Sequence, residues 1–255
     1  MMADVWHGEV YHADASWRGK LRRRTVRLSM RRPAKAPPGP MVSFAFDDIP
    51  ASAAEAGAAI LERRGLKGTY FVAAALAGTD AVTGPMATPD QVRRLAQAGH
   101  EIGCHTYSHL DCGQAAAPDA VEDVARNAET LAAWGVSRPT TFAYPFGDVA
   151  PQTKRALAAR FSLMRALHCG MVTAGSDLNQ APAVGVEGPD GEALAMGWLA
   201  RAARRKAWLI LCTHDVADAP SPYGCTAAAL ERLVEAALAN GFEPVTVAEG
   251  AARLG

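Results

Sequence analysis

Two patterns of apolar residues alternate along the chain. Short apolar runs of strand length occur at 42–46, 69–73 and 208–212. Briefer strands are predicted around Phe142 and over 244–247. Between them lie Ala- and Leu-rich stretches predicted as helices over 118–134, 151–159, 191–206 and 226–240, the last stopped by Gly241. Ser52-Ala-Ala-Glu55 reads as a capping box opening a helix that closes near Gly65. Thr88-Pro89-Asp90-Gln91 reads as another helix start, with proline at the first helical position and Gly99 at the far end. Strands alternating with helices imply a parallel sheet or barrel. Upstream, residues 24–30 (RTVRLSM) alternate polar and apolar like an edge strand, and RRPAKAPPGP at 31–40 reads as a stiff linker. The expected organisation is an N-terminal arm and linker over 1–40 and one α/β domain over 41–255.

Composition narrows the class. A chain of 255 residues, 49% hydrophobic and 20% charged, can bury a core without disulfides and is neither disordered, collagen-like nor a coiled coil. No apolar stretch approaches the ~20 residues of a membrane span. The balance of 26 basic and 26 acidic side chains argues against a dedicated nucleic-acid binder. That zero conceals an asymmetry: residues 1–40 carry nine basic groups against three acidic ones, so the arm is +6 and the rest of the chain −6. The arm is expected either to join subunits, as a homodimer, or to steer the protein towards anionic lipid headgroups. Five scattered cysteines without framework spacing, and no visible apolar leader, favour a reducing, cytoplasmic compartment.

Candidate chemistry sits at strand ends, where α/β barrels place their sites. Asp47 and Asp48 follow the first apolar strand directly. Such a pair is either a turn or helix cap, or two carboxylates facing different partners, one a cation and the other a proton. His105 and His109 are four apart, the spacing at which a helical turn puts two imidazoles on one metal; the alternative is a pair of surface or satisfied core histidines. A structural zinc cluster that adds Cys104 and Cys112 is disfavoured, because Cys104 adjoins His105 and should point elsewhere. Ala143-Tyr144-Pro145-Phe146-Gly147 is a tight turn after a strand, able to offer a backbone N–H to an oxyanion. His214 ends the apolar strand LILCT, in a place suited either to acid–base work or to a satisfied core histidine.

In combination, the Asp-Asp pair, GHEIGCHTYSH, AYPFG, LILCTHD and the segment LKGTYFVA resemble the polysaccharide deacetylases of the NodB-homology group, carbohydrate esterase family 4, over about residues 41–250. The resemblance implies a distorted (β/α) barrel with fewer repeats than a TIM barrel and one divalent metal, zinc first and cobalt or another ion as alternatives. It implies Asp48, His105 and His109 as metal ligands, Asp47 as general base for the attacking water, and His214 as general acid for the leaving amine. The Phe146 backbone N–H would help hold the oxyanion, with Tyr144 and Pro145 as substrate-binding candidates. The implied reaction is N-deacetylation of an N-acetylhexosamine in a bacterial exopolysaccharide, or in its lipid-linked amino-sugar precursor. A deformylase or cyclic amidase, or a non-catalytic metal-stabilised glycan-binding protein, are the alternatives. The sequence departs from the family pattern in three places. Ile49-Pro50 replaces a glycine after the Asp pair, Ala143 stands where an arginine is usual, and the fourth motif is not identifiable, SDLNQ at 176–180 being nearest. Trp198 and Trp208 lack the preceding aspartate of that motif. Arg165, Asp177, Glu187 and Asp215 are the candidates to orient Asp47 and His214 in their stead.

Overall fold

The computed structural model describes residues 16–255; the first part of the predicted arm lies outside the described residues. In chain order the elements are α1 (Trp17–Val26), β1 (Met41–Asp47), α2 (Ala58–Glu62, entered through a π turn at Ala53–Gly57), β2 (Thr69–Val72), β3 (Asp80–Ala81) and β4 (Gly84–Pro85). There follow α3 (Pro89–Gln97), β5 (Glu101–Cys104), α4 (Ala117–Ala133), β6 (Thr141–Ala143), α5 (Pro151–Leu157) and β7 (Leu163–Arg165). The chain closes with β8 (Val184–Gly185), α6 (Gly191–Arg205), β9 (Trp208–Thr213), α7 (Ala227–Ala239), β10 (Glu243–Pro244) and α8 (Val247–Leu254).

Eight strands form one parallel sheet in the order β7-β6-β5-β2-β1-β9-β8, with β10 beside the start of β1; β3 and β4 make a separate antiparallel hairpin. The sheet curls into a half-barrel between edges β7 and β8, and Ala181 reaches across from that gap to bridge Arg165. Every residue of β1 is buried, yet the strand still alternates. Val42, Phe44 and Phe46 face the helices, whereas Met41 and Ala45 join Phe71, Ala143, Leu163, Trp208 and Ile210 inside the barrel. The period of two continues to Asp47, which therefore arrives at the barrel mouth pointing inward.

Several expectations are corrected. Ser52 has helical backbone angles and makes no cap; its hydroxyl accepts from Val216 N–H (3.2 Å), while Glu55 accepts from Gln91 Nε2 (2.7 Å). Thr88 and Gln91 do form the capping box of α3. At the C-terminal end only Glu243–Pro244 pairs as strand, because Thr246 and Glu249 cap α8 and turn the chain into a helix at Val247. The segment 24–30 is not an edge strand: Ser16 caps α1, and the Arg-, Lys- and Leu-rich run after it continues as helix to Val26. The strand from which a homodimer was expected is therefore missing from the described residues. The following segment is fastened to the body, through Ala34 N–H to Ser176 O (2.7 Å) and Lys35 N–H to Leu254 O (2.8 Å).

Candidate active site

The C-terminal ends of β1, β5, β6, β7, β8 and β9 converge on a pocket of about 660 Å³ lined by Asp47, Asp48, His105, His109, Arg165, Glu187, His214 and others. Backbone strain concentrates around it. Of seven non-glycine residues with positive φ among the described residues, Asp48, Ile49, Thr106, His109 and Phe146 all belong to loops that build its walls. For a β-branched residue such as Ile49 (φ 63°) that conformation is an outlier, held in place only by its surroundings.

Asp48 leaves the inward line of β1 through this left-handed step and meets the two histidines, with Oδ1 lying 3.3 Å from His105 Nε2 and 3.2 Å from His109 Nε2. The histidines converge through a loop and not a helical turn, since Thr106 and His109 both have positive φ. Asp123 of α4 ties that loop, accepting from Tyr107 N–H (2.6 Å), Ser108 N–H (3.0 Å) and the Ser108 hydroxyl (2.9 Å). His105 Nδ1 lies 2.8 Å from Ala143 O, which makes that nitrogen the donor and leaves Nε2 with its lone pair turned to Asp48.

This set fits a divalent cation. One ligand atom each from Asp48, His105 and His109 lies within 4.8 Å of the others, whereas Cys104 and Cys112 are buried elsewhere. Asp48 Oδ1 is buried and meets no hydrogen bond of good geometry, an expensive state for a carboxylate that no cation satisfies. Burial alone would raise the Asp48 carboxyl, but His109, His105 and His214 facing it hold it far below the usual range. Burial pushes the His109 imidazole down to about 4 against the pull of Asp48, so it is a neutral ligand at physiological pH.

Asp47 faces the other way. Its Oδ2 accepts from the Arg165 guanidinium, while Oδ1 is buried without a partner. Arg165 is only 1% exposed and lies 5.4 Å over the Phe71 ring. His214 Nε2 points at Asp48 Oδ2 (3.9 Å), and its Nδ1 lies 3.2 Å from Tyr223 O and 3.7 Å from Glu187 Oε1. Burial would lower His214, but Asp48, Asp47 and Glu187 outweigh it and raise the imidazole above its ordinary value. Glu187, by contrast, is raised by burial against the charge of His214.

Of the four orienting candidates, the structure brings Arg165 to Asp47 and Glu187 to His214. Asp177 is taken by Lys154 (2.6 Å), and Asp215 accepts from Ser221. The turn after β6 reaches the pocket, with the Phe146 ring packed 4.6 Å from that of His109. Gly147 (φ 68°) is required there, because a Cβ would sit 2.1 Å from that of Leu167. Tyr144 lines the pocket, but its hydroxyl is committed to the core, donating to Asn179 O (3.1 Å). Pro145 is buried and not among the lining residues, so the turn's contribution lies in Phe146 and Gly147. Leu167 and Tyr223 line the pocket without having been anticipated. Leu167 is two positions beyond the end-of-strand Arg165, a position that the sequence pattern could have marked.

Known proteins share this chain's sequence family and fold. The family model for polysaccharide deacetylase matches residues 34–163. The chitin deacetylase of Colletotrichum lindemuthianum superposes with a TM-score of 0.61 at 18% identity, covering 84% of this chain and 89% of that one. A family 4 carbohydrate esterase from Streptomyces lividans does so with 0.53 at 19% identity, over 81% and 92%. A gellan lyase from a Bacillus species is 32% identical over 108 residues, which is 42% of this chain but only 4% of that much longer protein.

Proposed function

The chain belongs to the polysaccharide deacetylase family, metal-dependent hydrolases of N-acetyl amide bonds, and from that premise we propose that it deacetylates N-acetylhexosamine units of a bacterial polysaccharide or its lipid-linked precursor. The observation that carries this reading is the convergence of Asp47, Asp48, His105, His109 and His214 on one pocket.

Asp48, His105 and His109 would hold the divalent cation, for which zinc is the proposed ion. Bound there, the cation supplies Lewis acidity towards the acetyl carbonyl and makes water acidic enough to give up a proton near neutrality. The chain's own residues do the rest. Asp47, with Oδ1 open and Oδ2 held by Arg165, accepts the proton of the attacking water. The water oxygen bonds to the carbonyl carbon, and the backbone N–H of Phe146 stabilises the negative oxygen that results. His214, whose imidazole the carboxylates around it raise above its ordinary value, gives a proton to the nitrogen as the C–N bond breaks, leaving acetate and a free amine. An amine anion is too poor a leaving group to depart without that proton. Five free cysteines support a reducing, cytoplasmic address, where the acceptor would be a lipid-linked intermediate or short oligomer.

The test is mass spectrometry of defined N-acetylglucosamine oligomers and lipid-linked amino sugars incubated with the protein and zinc or cobalt. Loss of acetyl groups is expected, and Asp47→Asn should abolish it while keeping the metal. If no substrate in the series loses acetyl, the deacetylase reading fails and a non-catalytic glycan-binding role takes its place.

A further inference from the structure

We propose that the outward face of α1, together with the cleft beside it, docks on the surface of an anionic lipid bilayer. Its purpose rests on the lipid-linked form of the substrate, but the docking itself can be measured without it.

Residues 16–40 contain nine basic side chains and no acidic one. Part of that charge is spent within the fold: Arg22 bonds Asp148, Arg32 caps the carbonyls of Phe161 and Ser162, and Lys35 reaches Gly255 O. Lys20, Arg24 and Arg27 are exposed to solvent. At about 100° per residue, Val26, Gly19 and Arg22 share the face of α1 turned to the body, and Trp17, Leu21 and Arg24 share the opposite face, with Lys20 beside them. Leu28, in the turn that follows, extends that side. The three most exposed large hydrophobic residues among the described ones are Leu28 (75%), Trp17 (70%) and Leu21 (55%), so they cluster here. Here the exposed apolar side chains can enter the headgroup region while the cations beside them meet anionic phosphates, so the attraction is chiefly electrostatic.

A cleft of about 490 Å³ lies between this arm and the body, lined by Arg27, Arg31, His168, Ser176, Asp177, Gln180 and Pro182. Its acidic member, Asp177, is already paired with Lys154 (2.6 Å). Arg31 donates to Gly175 O (2.7 Å), and the Arg27 guanidinium makes no hydrogen bond or ion pair among the described residues. Two guanidiniums around a cavity of this size suit a phosphate headgroup. The surface also adjoins the active-site pocket, since Leu167 lines that pocket and the next residue, His168, lines the cleft. Arg22 reinforces the junction by holding Asp148, which follows directly on the Phe146–Gly147 turn. A docked bilayer would thus lie beside the pocket mouth. Nucleic acid would satisfy the cations but leave the leucines in water, and the same face of a second copy would bring cations against cations.

Co-sedimentation of the full chain with vesicles tests this, using phosphatidylcholine alone and phosphatidylcholine with about 30% phosphatidylglycerol, a surface charge of the order found on cytoplasmic leaflets. Binding is expected only to the anionic vesicles, and raising salt should weaken it as screening shortens. Lys20→Glu/Arg24→Glu/Arg27→Glu should reduce it by about tenfold or more, since each basic group near the surface contributes separately. Leu21→Ser/Leu28→Ser should also weaken it, by roughly threefold or more, with charge unchanged. Both variants should keep wild-type circular dichroism and wild-type activity on soluble oligomers. Equal binding to neutral vesicles, unimpaired binding by the charge-reversed variant, or binding to duplex DNA or inorganic phosphate but not to vesicles would overturn the proposal. Absence of soluble activity in the wild type would instead count against the deacetylase reading and leave the docking result standing.

Discussion

Ala143 and Arg165 are partners across the β6–β7 ladder, so their side chains leave the sheet on the same face, towards the barrel interior. The position where the family pattern expects arginine holds alanine, and the guanidinium comes from one strand further along. It still reaches Asp47, because the carboxylate stands at the barrel mouth and the Arg165 side chain faces the same interior. The charge has moved while the contact it makes is kept. Arg165→Ala should lower kcat by about 10–100-fold, the usual effect of removing a group that orients an active-site side chain, with KM and zinc affinity changing little. Arg165→Lys should recover only part, for want of a planar fork. Ala143→Arg/Arg165→Ala should recover more activity than Arg165→Ala alone. Steady-state kinetics with zinc affinity measured in parallel decide this, and a double variant no better than the single one would show that the strand matters as well as the charge.

At the scale of elements, the strands and most helices were legible because apolar runs and capping residues are local signals. Thr88 and Gln91 cap α3 as the pattern predicts, and Gly99 (φ 87°) ends it. What was not legible depends on partners distant in sequence. Ser52 resembles a cap but serves Val216, and residues 24–30 alternate like a strand but, among the described residues, have no neighbouring strand to pair with. The His105–His109 spacing was readable as a joint site, yet its helical explanation was wrong, because Asp123 on α4 holds these residues in a loop. That tie carries a consequence. Asp123→Ala removes three hydrogen bonds from the loop between the histidines and should weaken zinc binding by about 10–100-fold, as loss of outer support for metal ligands commonly does. Thermal stability without metal should fall by only a few degrees. Titration of the metal-free protein with zinc checks this, and wild-type affinity would mean that the strained loop holds itself.

At the scale of the whole molecule, the question is how firmly the cationic arm belongs to the acidic body. Lys154 of α5 has no exposed surface, and its ammonium donates to Val26 O (2.8 Å), Asp177 Oδ2 (2.6 Å) and Gln180 Oε1 (3.3 Å). Asp177 in turn accepts from Arg32 N–H (2.9 Å), so one ion pair, its lysine buried and its aspartate half-buried, clamps the end of α1 and the segment after it together. Burial draws the Lys154 ammonium below its ordinary pKa, and Asp177 opposes that shift. Lys154→Met keeps the bulk but takes the cation from half-buried Asp177, along with the charged hydrogen bonds to Val26 O and Gln180, a change that should cost about 1–3 kcal/mol. Much of that cost should be relieved locally, by release of the arm, because the barrel core lies on other strands. Trypsin has ready targets once the arm opens, at Arg23, Arg24 and Arg27. Proteolysis tracks the population of the open form, so cleavage within 16–40 should accelerate by about tenfold or more while the body resists. The same variant should lose affinity for anionic vesicles, since a released α1 no longer aligns its exposed face with the cleft. Cleavage at the wild-type rate would mean that Arg22 and Arg32 hold the arm without Lys154, and the clamp would then have to be assigned to them.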